Sequence, residues 1–195
     1  MTGAAAKNRT ARRAVPWIVG AALLLVAAVV TAATPSEQAL LGPFVQRGTA
    51  AAPVTARTLI ATVTDLSRTE RVTVTDAAWE AEGNWLVVEL AVSAPTTEVD
   101  ATIGVAALLI DGRLFQASER PPATLMDSAL RVGTDTVGMM AFELPDDLRS
   151  GIGELRLSGR RPTPELDDVI AFPVDLDEIA TVPSVDIAEP RLGQP

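Results

Sequence analysis

The sequence predicts a mainly β chain, an antiparallel β-sandwich set behind one N-terminal transmembrane helix. Three observations carry that expectation. Residues 14–33 run for twenty positions without a charge, between 56 and 176 the apolar residues recur with period two in short runs, and turn signals separate those runs every 8 to 12 residues or so. No amphipathic stretch with a helical period interrupts the pattern.

The uncharged stretch reads AVPWIVGAALLLVAAVVTAA. Twenty residues at about 1.5 Å of rise each cover about 30 Å, the hydrocarbon thickness of a bilayer. Nine of the positions from Val15 to Val30 are Val, Ile or Leu, and together they favour insertion by about 3 to 5 kcal/mol before Pro16, Gly20 and Thr31 take some back. Pro16 falls in the first turn, where a missing N–H costs little, Trp17 lies at headgroup depth, and Pro35 stops the helix beyond its far end. Lys7, Arg9, Arg12 and Arg13 precede the span with no acidic residue among them, which keeps residues 1–13 cytoplasmic and exports the rest. A cleaved signal peptide ending at 30–32 or 31–33 is the rival reading; the apolar run is longer than the usual signal core, so the anchor is preferred. Both readings export the remainder of the chain.

Composition narrows the chemistry. The net charge is −9, and setting aside the four basic residues of positions 1–33 leaves 12 basic against 25 acidic side chains, an exported part of −13. That surface repels nucleic acid and keeps the domain soluble. There is no histidine, cysteine or tyrosine, so a Ser-His-Asp triad, a cysteine nucleophile and a zinc or haem site with His or Cys ligands cannot be built. The only lysine, Lys7, lies ahead of the span, which removes a Ser-Lys pair from the exported part. Without cysteine, neither a disulfide nor a lipid-bearing cysteine is available.

Residues 34–55, rich in Ala, Pro, Gly and Thr, read as a stalk ending in the cluster Leu40, Leu41, Phe44 and Val45. Residues 58–66 and 70–75 are β-branched runs broken near Ser67, two short strands or one bent one. Residues 76–84 read as a connection carrying Trp79. From 85 to 92 the alternation is clean, with Leu86, Val88, Leu90 and Val92 on one face and Trp85, Val87, Glu89 and Ala91 on the other. Residues 101–110 are nearly all apolar and equally compatible with a helix. Asp111-Gly112 followed by Arg113-Leu114-Phe115-Gln116 marks a two-residue hairpin and decides for strand. Pro121-Pro122 sits in a loop over 118–127, ahead of a short strand at 130–132. Residues 137–144 point Met140, Phe142 and Leu144 inward, Leu155 and Leu157 suggest a strand over 153–159, and 169–176 alternates through Ile170, Phe172, Val174 and Leu176. Pro173 in that last run belongs on an edge strand. Residues 177–195 read as an acidic flexible tail.

Seven or eight such strands describe a sandwich over 56–176, and an immunoglobulin-like topology is the default choice. The strand Trp85-Leu86-Val87-Val88-Glu89-Leu90-Ala91-Val92, the hairpin Leu109-Ile110-Asp111-Gly112-Arg113-Leu114-Phe115 and the strand Gly138-Met139-Met140-Ala141-Phe142-Glu143-Leu144-Pro145 together resemble a family of bacterial extracytoplasmic immunoglobulin-like domains of unknown function. Its members sit behind a lipoprotein signal or a single membrane anchor, so the resemblance implies an exported sandwich and, lacking the cysteine, the membrane-anchored subset. It implies no catalytic residue.

The candidate polar clusters are few. Asp175, Asp177 and Glu178 crowd the end of the last strand, and Asp146-Asp147 and Asp167-Asp168 are loop pairs. They could bind calcium or serve as a glycosidase pair, but no D-x-[DN]-x-[DN]-G loop is present and sugar-binding aromatics are scarce, so solvated turns are the simpler reading. Trp79 and Trp85 fit a sheet face better than a ligand platform. Arg120, after Ser118 and Glu119, is placed either to fork onto a carboxylate and pin its loop or to sit in a surface ion pair, and Arg160-Arg161 reads as a solvated turn. Accordingly no catalytic, cofactor-binding or metal residue is assigned. The expectation is a non-enzymatic interaction or accessory module of the cell envelope with a protein partner and no nucleic acid. A ligand-sensing or calcium-dependent adhesion module and a carboxylate-dependent carbohydrate enzyme are the alternatives.

Overall fold

The computed structural model describes residue 17 and residues 19–25, 44–126, 128–160 and 168–193. The chain divides into two units, Met1–Gly42 and Pro43–Pro195. In the first, residue 17 and residues 19–25 are helical. Among the described residues no helix is long and apolar enough to cross a membrane; the rest of the 14–33 stretch, the basic tail at 1–13 and residues 34–43 lie outside them.

The second unit is a two-sheet sandwich. Its strands are β1 (Phe44–Arg47), β2 (Val54–Thr55), β3 (Ile60–Val74), β4 (Trp79–Ser93), β5 (Ile103–Ile110), β6 (Arg113–Gln116), β7 (Thr136–Leu144), β8 (Ile152–Gly159), β9 (Asp168–Asp175), β10 (Thr181–Val182), β11 (Val185–Asp186) and β12 (Arg191–Leu192). One sheet has the order β1-β9-β8-β5-β6, the other β10-β3-β4-β7-β12, with β2 and β11 also on β3. The period-two residues of the facing strands meet between the sheets. Leu86, Val88, Leu90 and Val92 of β4 and Met140, Phe142 and Leu144 of β7 pack with Leu108 and Ile110 of β5, Leu155 and Leu157 of β8, and Ile170, Phe172 and Val174 of β9.

The β5–β6 hairpin turns where the sequence places it. Asp111 and Gly112 both have positive φ, 47° and 78°, the backbone of the tight turn whose twist matches its strands. Residues 58–75 resolve as one bent strand, since β3 stays paired to β4 through register shifts at Val63/Asp65 and Thr69/Arg71. Gly104 of β5 sits where an added Cβ would come within 2.5 Å of the Arg160 Cα, so only glycine allows the β8 end to approach this closely. Pro173 does not lie on an edge strand, because β9 stands between β1 and β8; it lies opposite Glu154 of β8, and β1 pairs with residues 168–171 only, so no ladder on that side calls for the missing N–H.

Four other expectations are corrected. The stalk does not extend to residue 55, because β1 pairs in parallel with β9 and β2 pairs antiparallel with Ile60 and Ala61 of β3. The connection at 76–84 shrinks to a short 3-10 turn, Thr75–Ala77, and β4 begins at Trp79. Its polar start is held by Arg71 opposite Glu82 and by the buried Asn84, whose amide donates to Pro145 O and Leu148 O at 2.8 Å each. No strand forms at 130–132, although Leu130 is buried and Val132 makes one isolated bridge with Ala94. The acidic tail is not loose across 181–193: β10 and β11 lie along β3, and β12 lies on β7.

Phe142 is fully buried where both sheets meet. Phe142→Ala is expected to cost about 3 to 5 kcal/mol, a large part of the ~5 to 15 kcal/mol that stabilises such a domain. A denaturant titration of the variant checks it; a midpoint near that of the unmodified chain would place the core elsewhere.

Candidate interaction surfaces

The two outer faces of the sandwich differ. Behind the β3-β4-β7 sheet, the residues that alternate with the core set form a second apolar cluster: Val72 and Val74 of β3, Ala81, Trp85 and Val87 of β4, and Ala141 of β7. Ala123 of the loop after β6 and Ile187 of the C-terminal segment close over it. The loop is fastened to the β7 edge by Ser118 N–H to Ala141 O at 2.7 Å and Leu125 N–H to Met139 O at 3.0 Å. Arg120 then reaches back across the sheet. Its Nη1 donates to Glu143 Oε1 at 2.7 Å, and its guanidinium carbon stands 5.4 Å from the centroid of the fully buried Trp85 ring. Of the two sequence readings the contact matches the surface ion pair, one guanidinium nitrogen on one carboxylate oxygen between two exposed side chains rather than a fork, with the ring contact added to it.

The outer face of the β1-β9-β8-β5-β6 sheet carries a different set. The register aligns Arg47, Ala171, Arg156, Ala107 and Gln116 in one row and Pro173, Glu154, Leu109 and Leu114 in the next. Val105, Leu114 and Pro173 are exposed. At the centre Glu154 takes Arg156 Nη2 at 3.0 Å on Oε2 and Arg47 Nε at 3.3 Å on Oε1. Burial raises the Glu154 pKa, but the hydrogen bond and charge of Arg156, followed by those of Arg47, outweigh it and hold the carboxyl below its ordinary value. The result is an ionic triplet of net charge +1 within an apolar surround, on a domain whose overall charge is negative.

Concavities among the described residues include three with polar linings. One of about 710 Å³ opens beside the start of β5 among Gln116, Glu119, Pro122, Thr124, Met126 and Arg160. A second of about 760 Å³ holds two exposed ion pairs, Arg71–Glu82 at 2.7 Å and Arg149–Glu70 at 3.5 Å. The third, about 380 Å³, lies under the β4–β5 connection and is lined by Arg57, Thr58, Thr97 and Asp100.

Of the acidic residues singled out in the sequence, Asp175, Asp177 and Asp168 accept backbone N–H groups on their carboxylates, whereas Asp146, Asp147 and Glu178 are joined through their own backbone atoms. Asp175 Oδ1 accepts Asp177 N–H at 3.0 Å, Asp177 Oδ2 accepts Gly151 N–H at 3.4 Å, and Glu178 N–H donates to Asp175 O at 3.2 Å. Asp146 and Asp147 offer their carbonyls to Arg149, and Asp168 Oδ2 accepts Arg57 N–H at 3.0 Å. Asp167 and Arg161 lie outside the described residues. Among the described residues no three His, Cys, Asp or Glu side chains gather as a metal site. Trp79 is half-buried against the second apolar cluster, and Arg160 is exposed with its N–H donating to Thr102 O at 3.1 Å. The Glu154 triplet is not among the clusters the sequence singles out; only the sheet register brings Arg47 to a residue 107 positions away.

No protein-family model matches the chain, so none carries the resemblance to extracytoplasmic immunoglobulin-like domains, and no curated protein matches it. A solved structure from Staphylococcus aureus subsp. aureus NCTC 8325, described as a "putative lipoprotein", aligns with a TM-score of 0.41 at 9% identity, covering 71% of this chain and 97% of its own.

The geometry sets two expected outcomes. Because the Glu154 carboxyl is held below its ordinary value of 4.5, it stabilises the folded chain above that pH, and the contribution is lost as pH falls through the lowered value. Glu154→Gln is therefore expected to lower the urea midpoint at pH 7, with the gap to the unmodified chain closing as the pH is taken below 4.5; a gap independent of pH would remove the triplet as its cause. Arg120→Ala is expected to cost about 1 kcal/mol, with a change in Trp85 emission that Glu143→Gln alone does not reproduce. An unchanged emission spectrum would mean that the guanidinium does not rest on the ring in solution.

Proposed function

We propose that this chain is a non-enzymatic module of the bacterial cell envelope, held in the membrane by residues 14–33 with its N-terminus cytoplasmic, that works through protein contacts made by its exported sandwich. The observation that carries the reading is the difference between the two outer faces. One is closed over by the chain itself, while the other leaves Val105, Leu114 and Pro173 exposed around the Glu154 triplet. Exposed apolar side chains with a fixed charge pattern among them suit protein recognition, in which burial supplies affinity and charge supplies selectivity.

Strand order supports an immunoglobulin-like topology for the sandwich. β4 pairs with β7, β5 with β8 and β8 with β9, the neighbours that strands B and E, C and F, and F and G are in that fold. The anchor rests on the length and apolarity of residues 14–33 and on the basic residues before them. The non-enzymatic character rests on a residue set without histidine, cysteine or tyrosine and on the engagement of the Asp175 and Asp177 carboxylates with backbone donors.

Cross-linking in intact cells, followed by mass spectrometry of the purified membrane fraction, tests the reading. Expected are peptides from residues 1–13 in the mature protein, showing that the anchor is retained, and a partner protein joined through the β8-β5-β6 face. Leu114→Glu with Arg156→Glu should abolish that adduct without unfolding the domain. Recovery of a free domain beginning after residue 33, with no adduct on that face, would overturn both the anchor and the partner.

A further inference from the structure

The C-terminal segment is built unlike the rest of the sandwich. After β9 it turns through residues 176–180 and runs parallel to β3, setting Thr181 and Val182 against Arg68 and Thr69, then Val185 and Asp186 against Val72 and Thr73. It next crosses the outer face of the sheet, where Ile187 is buried in the cluster of Val72, Val74, Trp85 and Val87, and ends as β12 against Thr136 and Val137 of β7. The segment thus covers part of both edges of one sheet and the face between them.

What holds it is slight by comparison. The ladder comes in three pieces of two residues each, separated by Pro183 and Pro190, which have no N–H to donate. Of residues 178–193 only Ile187 is fully buried, with Ile179 half-buried against the main core. The one specific latch is Asp186, whose Oδ1 accepts the Thr73 hydroxyl at 2.9 Å, the Thr75 N–H at 3.0 Å and the Thr75 hydroxyl at 2.9 Å, beside Ile187 N–H to Thr73 O at 2.8 Å. Elements with few buried contacts and short ladders open at a fraction of the global unfolding free energy. Once open, this one leaves an unpaired β3 edge beside an apolar face with Trp79 and Trp85, the arrangement to which extended segments add as a further strand.

We propose that residues 178–193 form a releasable strap occupying, within its own chain, a strand-addition site on β3 that also accepts the same segment of a second copy. The site reads Val185-Asp186-Ile187: a carboxylate for the Thr73 and Thr75 donors, flanked by two branched apolar side chains for the cluster below. Exchange between copies suits this site because a strap received in trans makes every contact of the strap it replaces, so association requires no new complementarity. The turn at 176–180 is where the exchanged chain would change direction. The proposal deepens the interaction-module reading by adding a self-recognition site, and it stands or falls separately from the partner on the opposite sheet.

The natural absence of cysteine makes the test direct. Val72 and Val185 are register neighbours, close enough for a disulfide once both are cysteine. In the full chain, Val72→Cys with Val185→Cys together should close within one molecule at low concentration, which shows that the strap is seated and the positions can be bridged. When chains carrying only Val72→Cys are mixed with chains carrying only Val185→Cys, a disulfide between the two can form only in trans. A mixed dimer whose yield rises with concentration is expected. Amide exchange in the unmodified chain gives the second measurement, with the Ile187 N–H expected to exchange at least about tenfold faster than that of Val88. Intramolecular closure without any mixed dimer, or Ile187 exchanging only with global unfolding, would overturn the proposal. An adduct in intact cells on the β8-β5-β6 face is unaffected by either result.

Discussion

β4 is apolar on both faces, and the architecture answers to that. Leu86, Val88, Leu90 and Val92 point one way while Trp85 and Val87 point the other, and all six are buried. Each such side chain contributes about 1.5 to 3 kcal/mol when removed from water. A sheet carrying this strand cannot leave either face wet. The inner face is met by β5, β8 and β9. The outer face has no third sheet to meet it, so the chain covers it with the loop after β6 and with its own C-terminal segment. Arg120, Ala123 and Ile187 occupy their positions because Trp85 stands beneath them.

The opposite sheet is under no such demand. Its central strand β8 alternates Leu155 and Leu157, which are buried, with Glu154 and Arg156, which are half-buried and polar, so its outer face can remain in contact with water. Arg47 and Arg156 both bear on Glu154, and Ala107 and Ala171 on the flanking strands leave room for the long arginine stems. A fixed, half-desolvated ion cluster orients a partner more than it attracts one. Leu114 and Val105 around it remain exposed.

The strands that read most clearly from sequence are those whose pattern reports burial: β4, β7 and β9 with their period of two, and the β5–β6 hairpin through Asp111-Gly112. The elements that sequence misses share a different physics. β1, β2, β10, β11 and β12 have two to four residues each, too few for a period to register, and backbone pairing at an existing edge holds them rather than an apolar face of their own. The start of β4 is hidden because Glu80, Glu82, Gly83 and Asn84 look like loop residues. Their partners are Arg71 and the Pro145 and Leu148 carbonyls, which lie at distances in sequence that local reading does not span. The Glu154 triplet is unreadable for the same reason. Arg120 is only half legible: its charge suggests a carboxylate partner, but the ring beneath it depends on how the loop folds over β4.

Edge management separates the two sheets. Both edges of the β3-β4-β7 sheet are covered at several points, β3 by β2, β10 and β11, and β7 by β12 and the loop after β6. The other sheet ends in β1 and β6, each four residues long, and short edges carrying Arg47 and Arg113 are poor templates for indiscriminate pairing. What remains is a sheet face bearing exposed side chains, together with one edge guarded by a segment that fits it. An unguarded edge would add extended segments from any neighbouring chain. Covering β3 with the chain's own Val185-Asp186-Ile187 makes admission conditional on a sequence that can displace it, which turns an aggregation hazard into a selective contact.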